Sequence, residues 1–381
     1  MKLCVFPNDP LIAYYEKGEI KNRYYNPNNF FDEVHIISFI ENDIDENKIQ
    51  TLVGNARLKI HNVGKISIKK RSQHVDKIIG LVQTINPNVI RTYNTLLEGW
   101  FAAKCAKTLK IPMFLSIHTQ YDHKRRLAKK SNLKKFFALK YTEKFIEPCV
   151  IKVANKITIV YNIIKPYVKK HGGKDPELLY NRIDYERFRN GQVIDSLPKP
   201  LVLSVGNLIK EKNHECIINA MKGLNAYCLI IGKGANYRNL EKLIKKNNLE
   251  NKITIKEFVP HTQIQNYYKT ADVFALAFDP ELEELPMPVM EAMATGLPIV
   301  IPFPKEDFSN GLEDIVVFSE RNPDAFRENI KKILSTQSLK KDLVEKSLFK
   351  GRDFDNKKIE KREAEIYAEL ISKKESNYSS Q

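Results

Sequence analysis

The chain has 381 residues, of which 43% are hydrophobic and 28% charged, enough for two compact domains of about 150 residues each, which excludes a single small module and wholesale disorder. Its 62 Lys and Arg against 46 Asp and Glu leave a net charge of +16, so an anionic partner is expected. Five widely spaced cysteines, four of them inside apolar runs, suit buried thiols in a reducing compartment, and neither a secretory signal nor a membrane span is expected.

Short β-branched runs alternate with helical patterns from the first residues on, the mark of βαβ units and a parallel sheet. The first half predicts strands over Lys2–Phe6, Val34–Ser38, Val89–Tyr93, Met113–His118 and Lys156–Val160. Arg91, Tyr93 and Asn94 at one strand end and His118 at another are candidate site residues, because ligands of open parallel sheets bind beyond the carboxyl ends of the strands. Trp100, the single tryptophan, lies in the apolar run 96–106 and suits a helix core as well as a pocket. Asp43-Ile-Asp45 stands among competing charges and reads as a solvated helix start, so no metal site is expected.

The segment 121–170 holds 14 basic and 3 acidic residues, a local excess of +11. Lysines and arginines from Lys124 to Lys144 are interleaved with Leu127, Leu133, Phe136, Phe137, Leu139, Tyr141 and Phe145. That mixture fits a helix lying on an anionic membrane surface. An ordinary amphipathic helix with its apolar side in the core has the same pattern.

Asp195-Ser-Leu-Pro-Lys-Pro200 carries two prolines and no periodicity, and reads as a linker. The strand rhythm restarts at Leu201–Val205, Cys228–Ile231, Ile253–Glu257, Val273–Ala277 and Ile299–Ile301. The division expected is therefore 1–194, a linker at 195–200, 201–355, and a helix with a polar tail over 356–381 that packs back on the first domain. Gly206 ends one strand and Lys212 precedes the next helix, where a cation and free N–H groups suit an anion. Pro286 and Pro288 open a helix over Met287–Thr295, closed by Gly296, whose positive N-terminal end would face a ligand. Glu283 precedes that helix and Glu291 lies on its first turns, where a carboxylate also simply complements the helix dipole.

Taken together, Glu283-x7-Glu291 with Glu-Ala-Met-Ala-Thr-Gly-Leu-Pro, Gly206-Asn-Leu with Lys212, Tyr180-Asn-Arg-Ile-Asp184 with Phe188, Leu229-Ile-Ile-Gly-Lys-Gly234 and Ser116-Ile-His118 resemble retaining glycosyltransferase family 4. The resemblance covers nearly the whole chain and implies the GT-B fold, two doubly wound Rossmann-like domains facing a cleft. It assigns acceptor binding to the first domain, with Arg91, Tyr93 and Asn94 as candidates, and the nucleotide sugar, such as a UDP- or GDP-sugar, to the second. Glu291 matches the glutamate on the ribose hydroxyls and Glu283 the one on the sugar hydroxyls. Lys212 matches the phosphate-binding lysine, and His118 an active-site histidine. The stretch Leu285, Met287, Pro288, Val289 matches the loop whose backbone meets sugar and diphosphate; Gly206 and Asn207 flank that site, and Phe258 and Val259 lie where the base is cradled.

The sequence departs from the family at Asn207, where Arg is usual, leaving Lys210 or Lys233 to supply the charge. It departs again in the loop 7–18, which lacks the family's glycine pair. The implied activity is a metal-independent, cofactor-free retaining transfer of a sugar to a hydroxyl acceptor in polysaccharide, lipid-linked glycan or glycolipid synthesis, in the cytoplasm and peripheral on the inner face of the membrane. The rivals are a sugar-nucleotide 2-epimerase of the same fold and, more remotely, a nucleic-acid-binding protein, for which 121–170 lacks a recognised signature.

Overall fold

The structure is a computed structural model that describes residues 1–16, 18, 20–305 and 311–379. Its described residues fall into two compact units, Met1–Tyr180 with Ile359–Gln381, and Asn181–Lys358.

In the first unit β1 (Lys2–Phe6), α1 (Leu11–Glu16), β2 (Glu33–Ser38), β3 (Arg57–Asn62), α2 (Val75–Ile85), β4 (Val89–Thr92), α3 (Leu97–Leu109) and β5 (Met113–Ile117) are followed by three consecutive helices. These are α4 (Tyr121–Ser131), α5 (Leu133–Phe145) and α6 (Glu147–Val153), after which come β6 (Lys156–Ile159), α7 (Lys165–Lys170) and β7 (Glu177–Leu178). Seven strands form one parallel sheet in the order β3-β2-β1-β4-β5-β6-β7. The central strands β1, β4 and β5 are buried along almost their whole length because both faces are covered. β3, Arg-Leu-Lys-Ile-His-Asn, alternates because it is an edge. The strand order reverses between β1 and β4, so Tyr93, Asn94 and His118 follow strands on or beside the switch point. Asp43 accepts hydrogen bonds from the N–H groups of Leu11 and Ile12 at 3.0 and 2.7 Å and from Ser38 Oγ, while Asp45 caps the following turn through Asn47 N–H.

The second unit runs through α8 (Tyr185–Arg189), β8 (Leu201–Val205), α9 (His214–Ala220), β9 (Tyr227–Ile231), α10 (Tyr237–Lys246), β10 (Ile253–Lys256), α11 (Ile264–Thr270) and β11 (Val273–Ala275). It continues through α12 (Met287–Thr295), β12 (Ile299–Pro302), β13 (Val317–Ser319), α13 (Pro323–Ser335), α14 (Gln337–Gly351) and the start of α15 (Asn356–Ser379). Six parallel strands lie in the order β10-β9-β8-β11-β12-β13, reversing between β8 and β11. A single core of Val202, Ile217, Ile230, Val273, Val300, Phe326 and Ile330 joins the sheet to α9 and α13.

The division differs from the one expected. The chain leaves the first unit at Tyr180, not 194, because Ile183 bonds the backbone of Phe354 and Asn356, and α8 packs on α11 and α12. The prolines of 195–200 do not mark a free linker either. Ile194 N–H is held by Thr270 Oγ1, and Lys199 and Leu201 N–H both meet Asp272. At the far end, Ile366, Tyr367 and Leu370 of α15 enter the core of the first unit beside Leu3, Val34 and Phe114. The polar tail expected at the end of 356–381 continues as helix to Ser379; Ser380 and Gln381, like Lys17 in the loop 7–18, lie outside the described residues.

Candidate donor-binding site

In the second unit the loops after β8 and β9 lie against each other. Leu208 N–H donates to Lys233 O at 2.8 Å and Gly206 N–H to Ile231 O at 3.0 Å. A side chain at Gly232 would stand 1.9 Å from the Gly206 carbonyl oxygen, and one at Gly234 2.3 Å from that of Leu208. Glycine at both is therefore the condition for this close approach. At Gly206 itself a Cβ would meet only Lys212 and His214 at ordinary distances. Asn207 is exposed, as is Lys210, and Lys233 lies over the ring of the exposed Phe258 at 5.6 Å. Val259, next to Phe258, is buried.

Lys212 is buried, and its Nζ lies 2.6 Å from Glu283 Oε2. Asp279 builds the loop that delivers Glu283: its N–H donates to Glu211 O, and its carbonyl receives the N–H groups of Leu282 and Glu283. Behind this loop His214 Nδ1 lies 3.1 Å from Ser204 Oγ, and burial pushes its imidazole pKa down to about 4, so the ring is neutral.

Helix α12 starts at Pro286 with no side-chain cap. Leu285 and Val289 are buried in the core and Val289 N–H donates to Pro286 O at 2.9 Å, while Met287 and Pro288 are half-buried. Glu291 is buried on the second turn. Its Oε2 accepts from Tyr268 Oη at 2.8 Å and its Oε1 stands 3.7 Å from His261 Nε2. Arg187 in turn holds His261 through its carbonyl and Nδ1, and Phe188 packs edge-on against Tyr268. Tyr268 and His261 orient the carboxylate. His261 carried no signal in the sequence, and Tyr268 was not singled out there.

The candidates of the first unit fare differently. Arg91 is 1% exposed, ion-paired with Glu363 of α15 at 2.9 Å and stacked 3.5 Å over the ring of Phe114. A guanidinium so enclosed packs as part of the core of the first unit. Asn94 is buried as well: its Oδ1 accepts from Leu96 and Gly99 N–H and its Nδ2 donates to Glu98, so the side chain is engaged in starting α3. Tyr93 stacks on Tyr24 at 5.7 Å and lies 5.8 Å from the half-buried ring of His118. Trp100 is buried in α3, with Arg71 5.0 Å over its ring. Among the described residues no three His, Cys, Asp or Glu side chains are grouped to hold a metal ion.

Residues 186–348, which contain every element of the second-unit site, match the glycosyl transferases group 1 family. Over these residues the chain is a group 1 glycosyltransferase. Among curated relatives it is 22% identical over 356 residues to the uncharacterized glycosyltransferase MJ1178 of Methanocaldococcus jannaschii, covering 89% of this chain and 90% of the relative. It is 28% identical over 196 residues, 49% of this chain and 52% of the relative, to the N-acetylgalactosamine-N,N'-diacetylbacillosaminyl-diphospho-undecaprenol 4-alpha-N-acetylgalactosaminyltransferase of Campylobacter jejuni. Anabaena Alr3699/HepE, solved in complex with UDP, superposes with a TM-score of 0.74 over 97% of this chain and 100% of that one, at 13% identity. The fold of the glycosyltransferase is accordingly GT-B, with two Rossmann-like sheets.

Proposed function

We propose that this glycosyltransferase transfers a sugar from a nucleotide-sugar donor to a hydroxyl of a lipid-linked acceptor, with retention of anomeric configuration and without a metal ion, in polysaccharide or glycolipid synthesis. The observation that carries the reading is the Lys212–Glu283 pair at 2.6 Å on the loop leading into the uncapped start of α12, with Glu291 one turn further in. Charge growing on a departing diphosphate needs a fixed cation and a positive field, and Lys212 and the positive N-terminal end of α12 are suited to supply them. Glu291 offers Oε1 to ribose hydroxyls while Tyr268 holds Oε2. Exposed Phe258 suits a base, and Lys233 above it is the cation at hand where Asn207 replaces the family's Arg. Glu283, neutralised by Lys212, is suited to holding sugar hydroxyls and not to attacking the anomeric carbon, which favours front-face transfer within an ion pair. His118 at the end of β5 is kept as an active-site histidine. The UDP bound by HepE and the diphospho-undecaprenol in the Campylobacter relative's name support the kinds of donor and acceptor.

The surface of α5 supports membrane contact. Leu133, Phe137, Tyr141 and Phe145, each one step of four apart, are 61%, 67%, 41% and 51% exposed. Four such residues on one helix stripe, flanked by Lys134, Lys135, Lys140 and Lys144, form an apolar edge with a basic border. No helix among the described residues is long and apolar enough to cross a membrane, so contact would be peripheral.

The test is a panel of labelled UDP- and GDP-sugars incubated with and without a polyprenyl-diphosphate sugar acceptor, with and without EDTA. Acceptor-dependent release of nucleoside diphosphate, unchanged by EDTA, and a product with the donor's anomeric configuration by NMR are expected. Epimer formed from donor alone, or activity lost to EDTA and restored by Mg²⁺, would overturn the reading.

A further inference from the structure

On the first unit a groove of about 860 Å³ opens where the N-terminal ends of β5 and β6 meet the last turns of α3 and α6 and the outer half of α15. This is the edge of the sheet opposite Tyr93 and His118, so the groove is no part of a site at the carboxyl ends of these strands. Its floor is apolar, from Ala106, Ile111, Pro112, Ile366 and Leu370. Its rim is basic. Lys156 is engaged by Glu177, and Glu369 by Arg362. Lys107, Lys110, Lys174, Lys373 and Lys374 have no ion-pair partner among the described residues.

We propose that this groove binds a monomeric anionic amphiphile, a single alkyl chain lying along the floor and a phosphate head held among the five unmatched lysines. The volume is that of a small-molecule site. Five ammonium groups around one opening repel each other, and an anionic head relieves that repulsion while a chain removes the floor from water. Neither half suffices alone. Helices α3 and α6 both end here, and their negative dipole ends oppose a bare anion, whereas a neutral chain leaves the lysines unmatched. The concavity holds one chain, unlike the convex stripe of α5, and the proposal is independent of the transfer reaction assigned above.

The test is calorimetric titration of the whole protein, below the micelle concentration, with decyl phosphate, octyl phosphate, decyl maltoside and inorganic phosphate. Decyl phosphate should bind one to one and about tenfold more tightly than octyl phosphate, since each methylene is worth roughly three- to fourfold. Decyl maltoside and inorganic phosphate should bind at least tenfold more weakly than decyl phosphate. Changing Lys107→Glu, Lys110→Glu and Lys174→Glu together should weaken decyl phosphate at least tenfold with an unchanged melting curve. Lys373→Glu with Lys374→Glu serves if the triple variant does not fold. Phe137→Ser with Phe145→Ser on α5 should change nothing. Equal binding of decyl maltoside or inorganic phosphate, indifference to the lysine variants, or loss in the α5 variant would overturn the proposal.

Discussion

Lys212 and Glu283 stand 71 positions apart in the chain and meet at 2.6 Å, so the cation proposed for the diphosphate is already paired with a carboxylate. A nucleoside diphosphate must displace this carboxylate or share the lysine with it. Lys212→Ala is expected to lower turnover by roughly two to three decades, the effect of deleting one electrostatic stabiliser. Glu283→Gln should tighten UDP alone by a few fold, because a competing charge is gone, while transfer slows. Turnover of Lys212→Ala within threefold of wild type, or weaker UDP binding by Glu283→Gln, would refute the arrangement.

Glu291 accepts from buried Tyr268, which separates two consequences of mutating it. Glu291→Ala should weaken nucleotide binding by about 1.5 to 3 kcal/mol and also destabilise the second unit, because the Tyr268 hydroxyl is left without its acceptor. Glu291→Gln keeps an acceptor for Tyr268 and should spare stability while still losing affinity. Tyr268→Phe should cost about 1 kcal/mol in binding through lost orientation. Calorimetry with UDP beside thermal melting distinguishes these, and unchanged affinity in all three would remove Glu291 from the site.

How much of this was legible in the sequence depended on the range of the interaction. The central strands and α12 followed from short β-branched and apolar runs, paired prolines and a closing glycine, all local signals. Edge strands β3, β7 and β13 were missed, because a short or alternating strand is defined by its neighbour more than by its own residues. Arg91 looked like a ligand residue because it ends a strand. Glu363, 272 positions away, makes it a core ion pair, and no local pattern announces that. Tyr268 and His261 were invisible as orienting groups for the same reason. The stripe on α5 was ambiguous in principle, since a step of four places Leu133, Phe137, Tyr141 and Phe145 on one side without saying whether that side meets core or water.

His214 makes stability depend on pH in a defined direction. Burial holds its folded pKa at about 4 against an ordinary 6.5, so the folded state resists protonation and the unfolded chain does not. The stabilisation is complete above pH 6.5 and is lost progressively as pH falls toward 4, by up to about 3 kcal/mol for a shift of this size. Burial also lowers His35, His61 and His171, which act in the same sense. Thermal melting between pH 7.5 and 4.5 should show this decline, and His214→Gln should flatten it without abolishing it. A variant whose melting temperature falls with pH as steeply as that of wild type would exclude His214 as the cause.

The exposed stripe of α5 makes the membrane reading quantitative. Among the described residues, Glu143 pairs with Lys140, Arg125 and Lys170, and Glu147 with Arg125; the acids are thus spent largely on holding α4, α5 and α7 together, and of the lysines flanking the stripe Lys134, Lys135 and Lys144 have no ion-pair partner among the described residues. Basic residues near an anionic bilayer are worth about 1 kcal/mol each, and side chains such as Phe137 and Phe145, more than half exposed, add apolar burial of about 25 cal/mol per Å². Two contributions of different physical origin give a test that neither alone would. Co-sedimentation with vesicles containing anionic lipid should be weakened by salt and by Lys129, Lys130, Lys134 and Lys135 changed together to Glu. It should be weakened without any change in salt dependence by Phe137→Ser with Phe145→Ser. An interfacial helix requires both; a merely basic patch would lose binding only with the lysines. Equal sedimentation with neutral and anionic vesicles would instead leave the stripe to a protein partner and detach α5 from the delivery of a lipid-linked acceptor.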